Sequence, residues 1–121
     1  MAKYTDGFVL VVPKAKRAAY KKMAQEGCKI WKKFGAIDYK ECRADDMNPK
    51  NITFTFPKMT KTKEGEEVWF SYITFKSKAE RNLVNKKVMA YMEKKYADSK
   101  DMTMPFDMKR MAFGGFTVEV E

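Results

Sequence analysis

Nine polar residues of this 121-residue chain are of types that bind or transform a small molecule: Asp6, Cys42, Asp45, Asp46, Arg81, Asn85, Asp107, Lys109 and Arg110. An arginine fork grips an anionic group through two parallel hydrogen bonds, and a carboxylate in an apolar setting can serve as a base. Trp69, Phe106 and Phe116 offer apolar walls beside them. If the end of the second strand, the start of the second helix and the final loop meet at one end of a sheet, then Arg110, Asp107, Arg81, Asn85, Cys42, Asp45 and Asp6 converge on Phe106 and Trp69. Such a convergence is the form a ligand pocket takes. The structural alternative is that Asp107 caps a turn, Arg110 pairs with Asp45 or Asp46, and Arg81 and Asn85 satisfy loop carbonyls.

The chain has no histidine. That closes Ser-His-Asp and Cys-His catalysis, histidine-ligated haem and His-containing zinc sites together. Cys42 has no histidine to activate it, and Asp45-Asp46 lacks the ligand ladder of a hard-cation site. Gly114-Gly115 enters no helix and precedes no Lys-Ser or Lys-Thr, so it is not a phosphate loop. Neither a metal nor a cofactor is expected, and the residues decide neither for nor against catalysis.

The richest stretch is 104–116, MPFDMKRMAFGGF. Pro105 holds its surroundings extended, three charges interleave with Phe106, Met108 and Met111, and the glycine pair marks a bulge or a close approach in a final strand.

The elements that must position these residues follow from periodicity. Residues 4–12 end in an unbroken apolar run, the pattern of a strand covered on both faces. Over 14–34, Ala19, Tyr20, Met23, Gly27, Ile30, Trp31 and Phe34 form one helical stripe opposite a lysine-rich face, closed by Gly35. A second strand is expected over 36–44, with Ile37 and Tyr39 on one face and Cys42 on the other. Ile52, Phe54 and Phe56 alternate with threonines and predict an extra strand over 52–56, and 68–75 is β-branched and aromatic throughout. Ser77-Lys78-Ala79-Glu80 has the spacing of a capping box, starting a helix at 78 that ends near 93–96, with Leu83, Val84, Val88 and Tyr91 as its stripe. A polar loop over 97–103 and a last strand over about 109–120 complete the chain.

The order is that of an α+β, ferredoxin-like βαββαβ plan with one extra strand, in one domain over 1–121. Its antiparallel sheet carries both helices on one face. The other face is left apolar and uncovered, which predicts a homodimer whose two sheets pack as a dimeric α/β barrel.

Of the net charge of +9, the two helical segments carry nearly all the excess: 1–34 is +7 and 76–100 is +5. The favoured reading is a solvated lysine face; the competing ones are RNA or other nucleic-acid binding through the helices, and a purely structural or interaction module. No stretch is long and apolar enough to span a membrane, and the chain enters its first strand without a signal-like segment, so a cytoplasmic protein with free thiols at Cys28 and Cys42 is expected.

Asp6-Gly7-Phe8, Phe34-Gly35-Ala36, Glu41-Cys42, Ala44-Asp45-Asp46, Ser77-Lys78 with Arg81, Asn85 and Met89, Met104 to Asp107, Lys109-Arg110-Met111 and Gly114-Gly115-Phe116 together resemble the YbaA-like family of small uncharacterised proteins. The resemblance spans nearly the whole chain. It implies a dimeric α/β-barrel fold and brings no activity to transfer, so the function expected is that of a small-molecule binder, the ligand anionic if the arginines hold it.

Overall fold

The computed structural model describes residues 1–98 and 103–121. Strand β1 (Tyr4–Pro13) leads through a 3-10 turn (Lys14–Lys16) into helix α1 (Arg17–Phe34). Then come β2 (Asp38–Arg43), a short helix α2 (Phe56–Thr60), β3 (Glu66–Phe75), α3 (Lys78–Lys95), a second 3-10 turn (Met108–Arg110) and β4 (Ala112–Thr117). The sheet runs β2-β3-β1-β4 with every neighbouring pair antiparallel, the ferredoxin-like arrangement.

Strand alternation assigns the faces. Leu10 pairs with Trp69 and Glu41 with Ser71, so these residues share the face on which α1 and α3 lie. Helix α1 buries Tyr20, Ala24, Gly27 and Ile30 there, and α3 buries Val84 and Val88. Each buried Leu, Val or Phe contributes roughly 1.5–3 kcal/mol relative to exposure. The core divides in two: one cluster centres on Leu10, Tyr20, Trp69 and Phe106, the other on Ile30, Ile73, Phe75 and Val88, with Phe8 packed against both.

On the outer face Val11 and Val68, paired across β1 and β3, are only 2% and 3% exposed. The segment between β2 and β3 folds over this end, bringing Met47 and Phe56 around one small cavity with Val68 and Phe70. The rest of the outer face is open: Phe70 is 44% and Phe116 61% exposed.

Several expectations need correction. No strand forms over 52–56: Ile52 and Phe54 stay exposed, and the chain turns into α2. Pro57 has no donor to give a sheet but suits a first helical turn, and Thr55 caps that turn by accepting from Lys58 N at 3.4 Å. The first helix begins with a 3-10 turn, and α1 itself starts at Arg17. Its stripe passes through Ala24, with Ala19 exposed. In α3 the buried line is Val84 and Val88, one turn apart, which leaves Leu83 a third of a turn away and 46% exposed. Ile37 is exposed and precedes β2. The last strand is shorter than expected because Asp107 caps a 3-10 turn over Met108–Arg110. Its register with β1 runs unbroken through Gly114 and Gly115, so the glycine pair marks a close approach and not a bulge. Of the loop expected over 97–103, residues 99–102 lie outside the described residues.

Candidate functional site

The residues singled out in the sequence fall into separate places. Asp6, Arg81 and Asn85 come together beneath the start of α3. Asp6 is 1% exposed; its Oδ2 accepts from Asn85 Nδ2 at 3.3 Å, and its Oδ1 lies 3.1 Å from Arg81 Nε in a charge contact not aligned as a hydrogen bond. Asn85 Oδ1 accepts from Trp31 Nε1 at 3.0 Å, and Arg81 Nη2 donates to the Tyr4 hydroxyl at 3.2 Å. Burial raises the Asp6 carboxyl above its ordinary value, against the pull of Asn85 and Arg81.

Arg110 is elsewhere. It grips Glu66 with both terminal nitrogens, at 2.6 and 3.1 Å, and also donates to the carbonyls of Thr60 and Lys61 at 3.3 and 3.1 Å. The fork thus ties the 3-10 turn before β4 to the segment before β3, and it lowers the Glu66 carboxyl. Asp107 accepts from Lys109 N at 3.0 Å as the cap of that turn. Cys42 is exposed on the outer face opposite Phe70, Asp45 and Asp46 are exposed in the segment after β2, and Lys109 is exposed. Phe116 also lies on the outer face, paired with Thr5. Phe106 and Trp69 are buried together, each packing edge-on against Tyr20, at 5.6 and 4.9 Å between ring centres. The single convergent pocket expected from the sequence is therefore not assembled.

A different constellation is. Between the two core clusters, under α1, lies a cavity of about 190 Å³. Phe8, Tyr20, Trp31, Tyr39 and Phe106 give it aromatic walls, and Met23, Met92, Met104 and Met111 fill the gaps. Into this apolar space β2 projects Glu41. The Tyr20 hydroxyl donates to its Oε1 at 2.7 Å and the Tyr39 hydroxyl to its Oε2 at 2.8 Å. Burial first, and the neighbouring Glu41 charge second, push both phenols above the ordinary tyrosine range, so both remain protonated donors.

Local structure explains the placement. Tyr39 and Glu41 are two apart on a strand, so they share the helix-facing side. Tyr20 reaches the same carboxylate from the first turn of α1. Gly27 admits Tyr39: a Cβ at position 27 would stand 3.0 Å from the Tyr39 hydroxyl. On the far side of Glu41 a groove of about 270 Å³ contains Lys21, Gln25, Cys28 and Arg43, and it shares Ala24, Tyr39 and Glu41 with the inner cavity as a common wall. Glu41 therefore stands where the cavity meets the surface.

In the sequence Glu41 stands out only within the family resemblance, Tyr39 as a strand position and Tyr20 as part of a helical stripe; none of the three reads there as a site residue. The signal was parity: a carboxylate two residues from an aromatic on the core-facing side of a strand is a polar group that needs partners. Among the described residues, no group of three or more Cys, Asp and Glu is placed to hold a metal ion, and no helix is long and apolar enough to cross a membrane.

Comparison with known proteins gives the chain relatives by sequence and by fold. Residues 3–108 match the family model described as "Protein of unknown function (DUF1428)". The chain is 43% identical over 115 residues to the uncharacterized protein YbaA of Escherichia coli K12, covering 94% of each chain, and equally to YbaA of Shigella flexneri. Among solved structures, a dimeric ferredoxin-like protein from an uncultured marine organism superposes with a TM-score of 0.58 at 13% identity, covering 100% of this chain and 99% of that one. That likeness is one of fold.

Proposed function

The chain belongs to the DUF1428 family of proteins of unknown function, and for this member we propose a homodimer that binds a small molecule in the cavity beside Glu41. The observation that carries this reading is the Tyr20–Glu41–Tyr39 cluster: a carboxylate fixed by the hydroxyls of buried Tyr20 and half-buried Tyr39 against a largely apolar cavity. Polar groups held this way orient a ligand whose apolar body fills the remaining space. Core packing alone would favour an apolar residue at position 41, since a charge beside an apolar cavity is costly.

The arginines expected to hold an anionic ligand are engaged by carboxylates, Arg81 by Asp6 and Arg110 by Glu66. They support the fold around the cavity. Dimerisation is supported by the open outer face at Phe70 and Phe116 and by the dimeric state of the ferredoxin-like neighbour. Cys28 and Cys42 are both free thiols, which suits a cytoplasmic protein. Nothing in the site favours catalysis over binding.

The test is native mass spectrometry of the untagged protein, followed by titration with benzyl alcohol, a neutral probe of one ring. Trp31 lines the cavity, so occupancy is expected to change tryptophan fluorescence saturably. Ser71→Leu, which fills the same cavity, is expected to abolish the change. A monomeric mass overturns the dimer; absence of saturable binding, or binding unaffected by Ser71→Leu, overturns the pocket.

A further inference from the structure

Resting on the reading that this cavity holds a ligand, we propose that the ligand is a small organic cation, a protonated amine attached to an apolar body about the size of one ring.

The sign of the site comes first. Of the described side chains that line the cavity, Glu41 alone is charged. Its hydrogen-bond donors, Tyr20 and Tyr39, are neutral. Among the described residues no lysine or arginine nitrogen lies within 4.0 Å of its carboxylate. Among the described residues both buried carboxylates have a cation, Asp6 in Arg81 and Glu67 in Arg17, and half-buried Glu66 has Arg110. Glu41 is half-buried against an apolar space with no cation beside it, and a partner that supplies one offsets the cost of holding its charge there. Lys21 and Arg43 line the outer groove, but both are exposed to solvent, where water and salt screen them.

Geometry leaves room for that partner. Each tyrosine occupies one Glu41 oxygen, and each oxygen keeps a second lone pair able to accept from an ammonium N–H. The walls suit a cation as well. Tyr20, Trp31, Tyr39 and Phe106 line the space, and aromatic rings attract a desolvated ammonium placed over their faces. An anion would meet repulsion from the Glu41 charge. Size sets the body: apolar cavities of about 150 Å³ hold a benzene ring, and this one is about 190 Å³.

Three probes of one shape separate the alternatives: benzylamine, benzyl alcohol and benzoate, titrated at neutral pH against the intact protein and read by tryptophan fluorescence and calorimetry. The expected order is benzylamine at least about tenfold tighter than benzyl alcohol, with benzoate the weakest. In Glu41→Gln the ratio of amine to alcohol affinity is expected to collapse towards one. Equal affinity of amine and alcohol in the wild type, or benzoate binding tightest, overturns the cationic ligand while leaving the pocket standing. An amine preference that survives Glu41→Gln also overturns it. Failure of all three to bind overturns the pocket itself. The wild-type ranking decides the matter even if Glu41→Gln does not fold.

Discussion

Asp6 on β1 and Gly115 on β4 face each other across the antiparallel ladder, and the space where a side chain at 115 would lie is occupied by Arg81 on its way to Asp6. A Cβ there would stand 2.5 Å from Arg81 Nη2 and would also strike the Tyr4 ring and hydroxyl. The second glycine of the pair is thus fixed by a side-chain network and not by backbone conformation. Gly115→Ala is expected to destabilise the protein by about 1–3 kcal/mol, the usual cost of overpacking. Combined with Arg81→Ala, whose shortened side chain vacates part of the space, the losses should sum to less than the two single effects. Urea denaturation of the four proteins at one concentration measures this; strict additivity would show that Arg81 is not the obstacle.

Asp6 and Glu67, the two buried carboxylates among the described residues, lie near opposite ends of β1 and β3 and should give stability opposite slopes with pH. Glu67 is held below its ordinary 4.5 chiefly by hydrogen bonds from Arg17, at 2.7 and 2.8 Å. Its contribution is present above that value and lost as pH falls through the lower folded-state value. Asp6 is raised above 3.8 by burial, so the folded chain keeps a proton there that the unfolded chain releases, and stability falls as pH rises through the window above 3.8. Glu67→Gln is expected to cost about 1–2 kcal/mol at neutral pH, discounted for the exposure of Arg17, and to flatten the acid limb. Asp6→Asn should remove the opposing slope. Unfolding free energies between about pH 3 and 7 check both signs; parallel curves for wild type and either variant would contradict that assignment.

The fold was legible because its strongest signals are long-range periodicities: the apolar run of β1, the α1 stripe and the Ser77 cap, whose side chain accepts from Glu80 N at 3.1 Å. The 52–56 segment misled because alternation alone does not supply a neighbouring strand, and Pro57 with Thr55 favoured a helix start. For the site, Asp6, Arg81 and Asn85 stand out in the sequence as polar residues of types that bind a ligand, and they do meet. Arg110 pairs with Glu66 and not with Asp45 or Asp46: its fork reaches both Glu66 oxygens at the start of β3, while the two aspartates are exposed in the segment after β2. Glu41 escaped notice because Tyr20 and Tyr39 look like core residues until the fold brings their hydroxyls onto one carboxylate, from 21 residues away and from two.

The outer face carries a prediction about assembly. Phe70 and Phe116 are large, 44% and 61% exposed, and borne on strands whose own helices lie on the opposite side. Phe70→Glu or Phe116→Glu is expected to convert a dimer into a monomer in light scattering, with little loss of helix or strand content, since neither side chain belongs to the helix-side core clusters. Dimers that persist in both variants would place the interface elsewhere.

Gly27 and Tyr39 offer the sharpest check on how the cavity is built. Glycine in the interior of α1 costs about 1 kcal/mol relative to alanine, so Gly27→Ala would ordinarily stabilise an 18-residue helix. Here the added Cβ would press on the Tyr39 hydroxyl at 3.0 Å, and that hydroxyl cannot retreat without loosening its bond to Glu41. Gly27→Ala is therefore expected to destabilise the wild type. Tyr39→Phe alone leaves one Glu41 oxygen without its donor, at a cost of about 1–3 kcal/mol. With the hydroxyl gone the obstacle is gone too, so Gly27→Ala should become stabilising by up to about 1 kcal/mol in the Tyr39→Phe background. The reversal of sign, read from urea denaturation of the four proteins, is the expected outcome. A Gly27→Ala effect of the same sign and size in both backgrounds would mean that the glycine serves the helix packing and not the placement of Tyr39 on Glu41.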